Sequence, residues 1–232
     1  MSVDHCIVVI GGDAPDRRWR SVLPVDAIVI AADSGVDHAL AAGLHVDVAV
    51  GDFDSVSEAG LDAVTAAGAR VERHPAAKDH TDLELAMDEA IATGARHIVV
   101  IGGDGGRRDH LFANLFVLAS PRYASTAITA YLGPSVVHVV HGGEPAVAIE
   151  GEPGEVVTLL PVHGAAAGVR TAGLRYPLDG EALPAGTSRG VSNVLEVSPA
   201  SVRLDTGTLV VVLPGERDGN NDRDDDGEGG AG

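Results

Sequence analysis

The feature that most constrains the fold is a repeated alternation of short β-branched runs with helix-like stretches through residues 1–132. Most of the runs end at Gly or Asp, and segments with helical apolar spacing follow. Strands that alternate with helices of this length favour a parallel sheet covered by helices on both faces. The predicted strands are 6–10, 27–31, 46–50, a short strand around Val71, 97–101 and 127–132, and the predicted helices are 35–42, 57–67, 82–93 and 109–119.

The pattern changes after Gly133 and Pro134. Short strand-like runs at 136–140, 156–160, 195–197 and 208–213 are separated by Gly/Pro turns, with no long helical pattern. This texture is typical of a small antiparallel β-sandwich. We therefore predict an α/β protein with a doubly wound, mostly parallel sheet domain at 1–133 and an antiparallel β-sandwich domain at 134–216.

The last residues, 217–232, contain six acidic residues and no aliphatic residue larger than Ala. A segment of this composition buries too little apolar surface to offset the entropy of ordering. We expect a disordered acidic tail.

Charge and composition exclude several classes of partner. The chain has 34 acidic and 16 basic residues and a formal net charge of -18, so most of its surface would repel phosphate backbones. No apolar run approaches the roughly 18 residues of a membrane span, and the first residues lack a basic signal-peptide region. The single cysteine, Cys6, cannot form an intramolecular disulfide. We expect a cytoplasmic protein without nucleic-acid or membrane partners.

Aspartates lie just after the carboxyl ends of several predicted strands. In open α/β sheets, ligands bind outside these ends. The aspartates are Asp33 after the second strand, Asp52 and Asp54 after the third, Asp82 at the start of a helix, and Asp109 beyond the fifth strand. One such Asp is often only a turn former or a helix cap. An array at one edge, however, repels itself unless cations neutralise it, and Mg²⁺ or Mn²⁺ prefer such oxygen ligands together with phosphate.

A Gly-rich turn at 102–106 joins the fifth strand to the next helix. Glycines allow backbone N–H groups to approach phosphates, and a helix N-terminus favours anions. Arg107 could add bidentate phosphate contacts, while Lys78, the only lysine, lies among functional-looking acidic residues. The run is neither a Walker A loop nor a dinucleotide-binding fingerprint. The histidines lack zinc-site spacing, and there is no GxSxG elbow for a serine nucleophile.

Taken in chain order, several motifs resemble those of the thiamine pyrophosphokinase family. They are ADSG at 32–35, VGDFDS at 50–55, KDHTDLE at 78–84 and GRRDH at 106–110, followed by GLRYPL at 173–178 and VSN at 191–193. The combination is specific, whereas any single motif is not. The resemblance covers residues 6–213, and it departs from the family pattern at Ser34, where a second glycine is common, and at His80.

The resemblance implies an N-terminal catalytic domain, a C-terminal β domain and a homodimer with active sites between subunits. It also implies transfer of pyrophosphate from ATP to the hydroxyethyl group of thiamine, giving AMP and thiamine diphosphate. By position, the implied Mg²⁺ ligands are Asp52, Asp54 and Asp82. The implied catalytic residues are Asp33, Asp109 and Arg107, either Asp being able to accept the hydroxyl proton. The implied substrate-binding residues are Lys78, Thr81 and Arg107 for ATP, and Tyr176, Ser192 and Asn193 for thiamine.

Two other functions use the same residues. A Mg²⁺-dependent phosphohydrolase would activate water with these carboxylates, and a nucleotide or thiamine sensor would bind without turnover. The late motif at Ser192 and Asn193 argues against a general hydrolase. The complete acidic set argues against a sensor, because a binding module has no need of five converging carboxylates.

Overall fold

The computed structural model describes residues 4–13, 18–75, 79–105 and 107–215. Its first half contains six strands and four α-helices, within two residues of the predicted bounds. The strands are β1 (His5–Val9), β2 (Ala27–Ala32), β3 (Val48–Gly51), β4 (Arg70–Arg73), β5 (His97–Ile101) and β6 (Ala127–Leu132). The helices are α1 (Gly35–Ala41), α2 (Glu58–Ala66), α3 (Asp82–Ala92) and α4 (Arg108–Leu118). Short 3₁₀ helices lie at Arg18–Ser21 and Pro121–Tyr123.

These six strands form a parallel sheet in the order β4-β3-β2-β1-β5-β6. The chain runs outward from β1 through β2, β3 and β4, and then crosses back to β5 on the other side of β1. The strand order therefore reverses between β1 and β5. In sheets of this kind the crevice outside the carboxyl ends of those two strands is where ligands bind.

Alternation along the strands produces a core on each face of the sheet. Cys6 and Val8 of β1 pack into one cluster with Leu83 and Met87 of α3. Their neighbours Ile7 and Val9 pack on the opposite face with residues of α1 and α2 and with Trp19. Because every second side chain points to the same face, one apolar strand supplies both cores. The predicted doubly wound arrangement is confirmed.

The second half is antiparallel, as predicted. Its strands are β7 (Ser135–His141), β8 (Val147–Ile149), β9 (Val156–Ala172), β10 (Asp179–Leu183), β11 (Asn193–Val194), β12 (Ala200–Arg203) and β13 (Thr206–Leu213). The β6–β7 pairing joins this half to the parallel sheet, and the path continues β7-β13-β9-β12-β8.

Strand β9 takes part in two layers of this antiparallel half. Its first part pairs with β13, and its last part pairs with β10 and β12. Between the two parts, His163 and Gly164 have φ angles of 58° and 135°, and such bends let a strand change sheets. A separate apolar core, including Leu159, Leu209 and Val202, fills the space that these strands enclose.

Two strand predictions in the second half need correction, and three further strands were not predicted. The strand predicted at 156–160 extends to Ala172. Of the strand predicted at 195–197, only Leu195 takes part in a β-bridge, because the ladder lies just before it in β11. Strands β8, β10 and β12 were not predicted, since β8 and β12 are short and β10 contains no β-branched residue. Pairing with distant strands, rather than local propensity, holds them in place.

Two expectations concern the ends of the chain and the membrane. The predicted acidic tail at 217–232 lies outside the described residues. Among the helices that the structure describes, none is long and apolar enough to cross a lipid bilayer.

One titration prediction arises in β7. Burial lowers the pKa of His138 to about 4, while an unfolded histidine titrates near pH 6.5. The unfolded chain therefore binds a proton between these values and the folded chain does not, so stability is lost as the pH falls below about 6.5. We expect wild type to lose on the order of 1–2 kcal/mol more than His138→Asn between pH 7 and pH 5, measured by urea unfolding. Equal losses in the two proteins would contradict this account.

Candidate active site

The loop after β3 presents two carboxylates on either side of a buried anchor. Phe53 is buried, lies at a φ of 62°, and has the Arg73 guanidinium 5.0 Å from its ring centre. The backbone N–H of Asp54 donates to Oδ1 of Asp52 at 3.2 Å, which closes the turn. Burial of one aromatic ring thus fixes the loop that carries both carboxylates.

Asp33, at the end of β2, joins these two carboxylates. Its φ of 49° lies in the left-handed region that Asp tolerates better than most residues. Its N–H donates to the carbonyl of Val50 at 3.0 Å, and its Oδ2 accepts a hydrogen bond from the Ser55 hydroxyl. Oδ1 of Asp33 is buried with no hydrogen-bond partner among the described residues. One carboxylate oxygen from each of Asp33, Asp52 and Asp54 lies within 4.8 Å of the others.

Asp82 approaches the same cluster from the start of α3. Gly51 has a φ of 146°, and a Cβ placed on it would lie 3.3 Å from Oδ1 of Asp82. The preceding residue, Thr81, caps α3, because its hydroxyl accepts the N–H of Glu84 at 3.3 Å. The predicted helix start and its cap are confirmed.

The electrostatics of the cluster favour a cation. Asp52 and then Asp33 raise the pKa of Asp54 by charge repulsion, and Asp82 adds to the effect. Like-charged carboxylates raise one another's pKa because each disfavours the ionised form of the next. A divalent cation would remove this repulsion, and carboxylate oxygens are the ligands that Mg²⁺ prefers.

The loops after β1 and β5 pack directly against each other. The N–H of Asp13 donates to the carbonyl of Asp104 at 2.7 Å, and the N–H of Gly103 donates to the carbonyl of Gly11 at 2.7 Å. Gly12 has a φ of 118°, and a Cβ there would lie 2.2 Å from the Asp104 carbonyl oxygen. Only glycine therefore permits this close approach, which forms the floor of the crevice at the strand reversal.

This crevice has a volume of about 280 Å³, and its lining comes from the loops after β1, β2, β3 and β5, from the N-terminal part of α3 and from α4. Its lining includes four of the predicted site residues, Asp33, Thr81, Asp82 and Arg107. Asp52 and Asp54 adjoin it through their cluster with Asp33. Lys78 and Gly106 lie outside the described residues.

Asp109 is placed differently from the other carboxylates. It lies outside the group of three and forms an ion pair with Arg107, with Nε and Oδ1 3.2 Å apart and a second contact between Nη2 and Oδ2. The Arg107 guanidinium lowers the pKa of Asp109 to about 2. The ion pair with Arg107 therefore makes Asp109 a weaker base than an isolated aspartate.

The late-motif residues form a second locus. The Asn193 side chain accepts the N–H of Tyr176 at 3.0 Å and donates to its carbonyl at 2.8 Å. Ser192 has a φ of 59°, and its N–H donates to the Thr158 hydroxyl at 3.1 Å. The Tyr176 side chain is exposed. None of Tyr176, Ser192 and Asn193 is among the described residues that line the crevice. The late-motif residues and the crevice are therefore separate loci within one chain.

The reasoning from sequence assigned no site role to several residues that line the crevice. Gly11, Gly12, Ser55, Asp104 and His110 lie in strand ends or motifs that it identified, whereas Asn114 was not singled out. The Gly-Gly pair that ends the first predicted strand was a usable signal, because that strand lies at the sheet centre. The role of Asn114, which donates to the carbonyl of Gly103 at 3.5 Å, has no local sequence signal.

Comparison with known protein families gives matches along most of the chain. Residues 19–131 match the family model "Thiamin pyrophosphokinase, catalytic domain". Residues 146–209 match the model "Thiamin pyrophosphokinase, vitamin B1 binding domain". Among curated proteins, the chain is 27% identical over 183 residues to a thiamine pyrophosphokinase from Bacillus subtilis, covering 79% of this chain and 85% of that one.

Solved structures agree in fold. A thiamin pyrophosphokinase from Geobacillus thermodenitrificans aligns with a TM-score of 0.75 and 27% identity, covering 92% of this chain and 98% of that one. The thiamine pyrophosphokinase of Bacillus subtilis aligns with a TM-score of 0.79 and 24% identity, covering 92% and 100%. The yeast thiamin pyrophosphokinase aligns at 0.67 with 13% identity, covering 91% and 86%, which is a likeness of fold alone.

Proposed function

The chain belongs to the thiamin pyrophosphokinase family, and we propose that the crevice between β1 and β5 is where it transfers pyrophosphate from ATP to thiamine. The enzyme is a thiamine pyrophosphokinase, so its products are thiamine diphosphate and AMP. The observation that carries the assignment of the site is the cluster of Asp33, Asp52 and Asp54, whose oxygens lie within 4.8 Å of one another beside the crevice.

The residues present fit a divalent metal ion. The donors are carboxylate oxygens only, and Oδ1 of Asp33 is buried without a protein partner among the described residues. Such a set suits Mg²⁺, which is usually held by one or two carboxylates together with substrate phosphates. We assign Asp33, Asp52 and Asp54 to this role, with Asp82 completing the set. When bound, the ion neutralises charge on the transferred group and on the leaving phosphate.

The protein's own contribution to ATP binding is positional. The glycine loops at 11–12 and 103–105 line the crevice, where phosphates can approach the backbone closely. Arg107, held by Asp109, presents a planar fork of donors that matches phosphate oxygens. Thr81 and, by sequence position, Lys78 remain proposed ATP contacts.

The chemistry requires the thiamine hydroxyl to attack the β-phosphorus of ATP in line with departing AMP. Transfer of this kind depends mainly on positioning and charge neutralisation rather than on a strong base. Asp109 is poorly suited to accept the proton, since its ion pair with Arg107 lowers its pKa to about 2. Asp33, the other candidate, is assigned to the metal here, so the proposal needs neither aspartate as a strong base.

Thiamine binding is assigned to the second locus, around Tyr176 and Ser192. The double hydrogen bond from Asn193 fixes the Tyr176 backbone, while the tyrosine ring stays exposed and available for stacking. Phe112 and Phe116 on α4 are exposed by 58% and 52%, and apolar surface of this kind commonly marks an interface. We propose a homodimer in which the second copy brings its thiamine locus to the crevice of the first.

A subunit-mixing experiment tests this shared site. Asp54→Asn damages the crevice, and the double variant Tyr176→Ala/Ser192→Ala damages the thiamine locus. If each site draws on both subunits, half of the randomly mixed dimers contain one intact site, and activity returns to about one quarter of wild type. Each variant alone, unfolded and refolded identically, is the control. Mixtures no more active than their components would contradict the shared site.

The group that is transferred can be traced with a radioactive label. With ATP labelled at the γ-phosphorus, one-step transfer of pyrophosphate places the label in thiamine diphosphate and leaves AMP unlabelled. Stepwise transfer of single phosphates would instead generate ADP and labelled thiamine monophosphate. Chromatographic separation after a single turnover distinguishes the two, and accumulation of ADP would overturn the proposed reaction.

A further inference from the structure

We propose that Ser55 is a positioning residue that aims the unpartnered oxygen of Asp33 at the metal. This inference rests on the proposed function of the cluster and adds a residue to which no role has yet been assigned. It starts from the one hydrogen bond that the described residues make to the side chain of Asp33, in which the Ser55 hydroxyl donates to Oδ2.

The backbone of Asp33 is already fixed before its side chain is considered. Its N–H donates to the Val50 carbonyl at 3.0 Å, and its own carbonyl accepts the N–H of Val36 at 3.0 Å. Its φ of 49° is a conformation that holds only when the surroundings impose it. The remaining freedom of the carboxylate is therefore rotation about its side-chain bonds.

The Ser55 hydrogen bond removes that freedom. With Oδ2 engaged by Ser55, Oδ1 is the oxygen left buried and without a partner among the described residues, and the Asp33 carboxylate itself lies within reach of Asp52 and Asp54. Ser55 itself is exposed and also lines the crevice, so water could satisfy its hydroxyl equally well. Groups that hydrogen-bond to metal ligands in this manner fix ligand orientation and raise metal affinity.

Binding of Mn²⁺ alone, measured by the loss of its free-ion electron paramagnetic resonance signal, tests the proposal without any turnover. We expect Ser55→Ala to weaken Mn²⁺ binding about 10- to 100-fold. Ser55→Thr keeps the hydroxyl and is expected to bind Mn²⁺ nearly as wild type does. Unchanged affinity in Ser55→Ala, or no recovery in a folded Ser55→Thr, would overturn the proposal.

Ser57 provides a matched control in the same loop. Its hydroxyl donates to Oδ1 of Asp37 at 2.6 Å and caps α2 by accepting the N–H of Gly60 at 3.0 Å. Ser57→Ala therefore removes a comparable hydroxyl–carboxylate contact away from the cluster, and is expected to lower the melting temperature without changing Mn²⁺ affinity. If Ser57→Ala weakened Mn²⁺ binding as much as Ser55→Ala does, the stability of the loop, rather than the orientation of the Asp33 carboxylate, would explain the loss of affinity.

A double-mutant cycle separates positioning from direct contact with the ion or the phosphates. If Ser55 acts through Asp33, adding Ser55→Ala to Asp33→Asn produces little further loss of Mn²⁺ affinity. Additive losses would make Ser55 an independent ligand and would overturn the proposal. Loss of ATP binding in Ser55→Ala with unchanged Mn²⁺ affinity would also overturn the proposal. If Ser55→Ala does not fold, the Ser55→Cys variant, which has a similar side-chain volume, replaces it in these measurements. Absence of thiamine-dependent turnover in wild type would contradict only the proposed function.

Discussion

Replacing Asp54 with Asn is expected to lower kcat/KM by about 10³-fold or more, because a bound cation supplies several kcal/mol of charge stabilisation and each 1.36 kcal/mol is a factor of ten in rate. Asp52→Asn is expected to behave in the same way, since both carboxylates share one loop and one cluster. The measurement is steady-state kinetics over a range of Mg²⁺ concentrations. Normal activity with unchanged Mg²⁺ dependence in either variant would refute the metal role.

Asp54→Asn is also expected to stabilise the metal-free protein. Asp52 and Asp33 raise the pKa of Asp54 by charge repulsion, so removing the charge of Asp54 relieves a repulsion that a bound cation would otherwise neutralise. A higher melting temperature in the presence of a chelator, together with lost activity, distinguishes a functional residue from a structural one. Asp62→Asn, an exposed carboxylate on α2, is the matched control and should change neither property.

Arg107→Ala is expected to lower kcat by about 100-fold or more, because an arginine on the transferred phosphates of comparable enzymes contributes about 10³–10⁵. Arg107→Lys is expected to recover little of this loss, since a lysine lacks the planar fork that binds two oxygens at once. Kinetics with ATP varied at saturating thiamine separate kcat from KM. Activity near wild type in Arg107→Lys would show that charge alone suffices and would contradict bidentate recognition.

Arg108 supplies the control for Arg107. It is the next residue, begins α4 and is exposed, but it does not line the crevice. Arg108→Ala removes the same charge from the same helix start. We expect it to retain most of the activity, whereas an equal loss in both variants would point to a general electrostatic effect of the helix terminus.

Much of the first half could be predicted because its fold depends on local patterns. Each β-branched run is long enough to identify a strand, and Thr81 and Gly94 bound a helix by ordinary capping chemistry. The second half resisted prediction, because β9 continues through Pro161, Gly164 and an Ala-rich stretch. Residues with no strand preference extend there only because β10, β12 and β13 supply partners from distant parts of the chain.

The candidate site likewise contains features that the sequence predicts and features that it does not. The convergence of Asp33, Asp52 and Asp54 could be predicted from the sequence, because the carboxyl ends of parallel strands lie at the same edge of a sheet. The Arg107–Asp109 pair and the Ser55–Asp33 contact depend on loop conformation, including positive φ angles at Asp33 and Phe53. These conformations have no sequence signature in non-glycine residues, and only coordinates could reveal them.

The most direct test of the central claim is a product count for the wild-type enzyme with Mg·ATP, with and without thiamine. AMP is measured by a coupled assay, and thiamine diphosphate is measured by mass spectrometry in the same samples. We predict that AMP forms only when thiamine is present and in a one-to-one ratio with thiamine diphosphate. ADP or inorganic phosphate released at the same rate without thiamine would contradict the account and identify a phosphohydrolase instead.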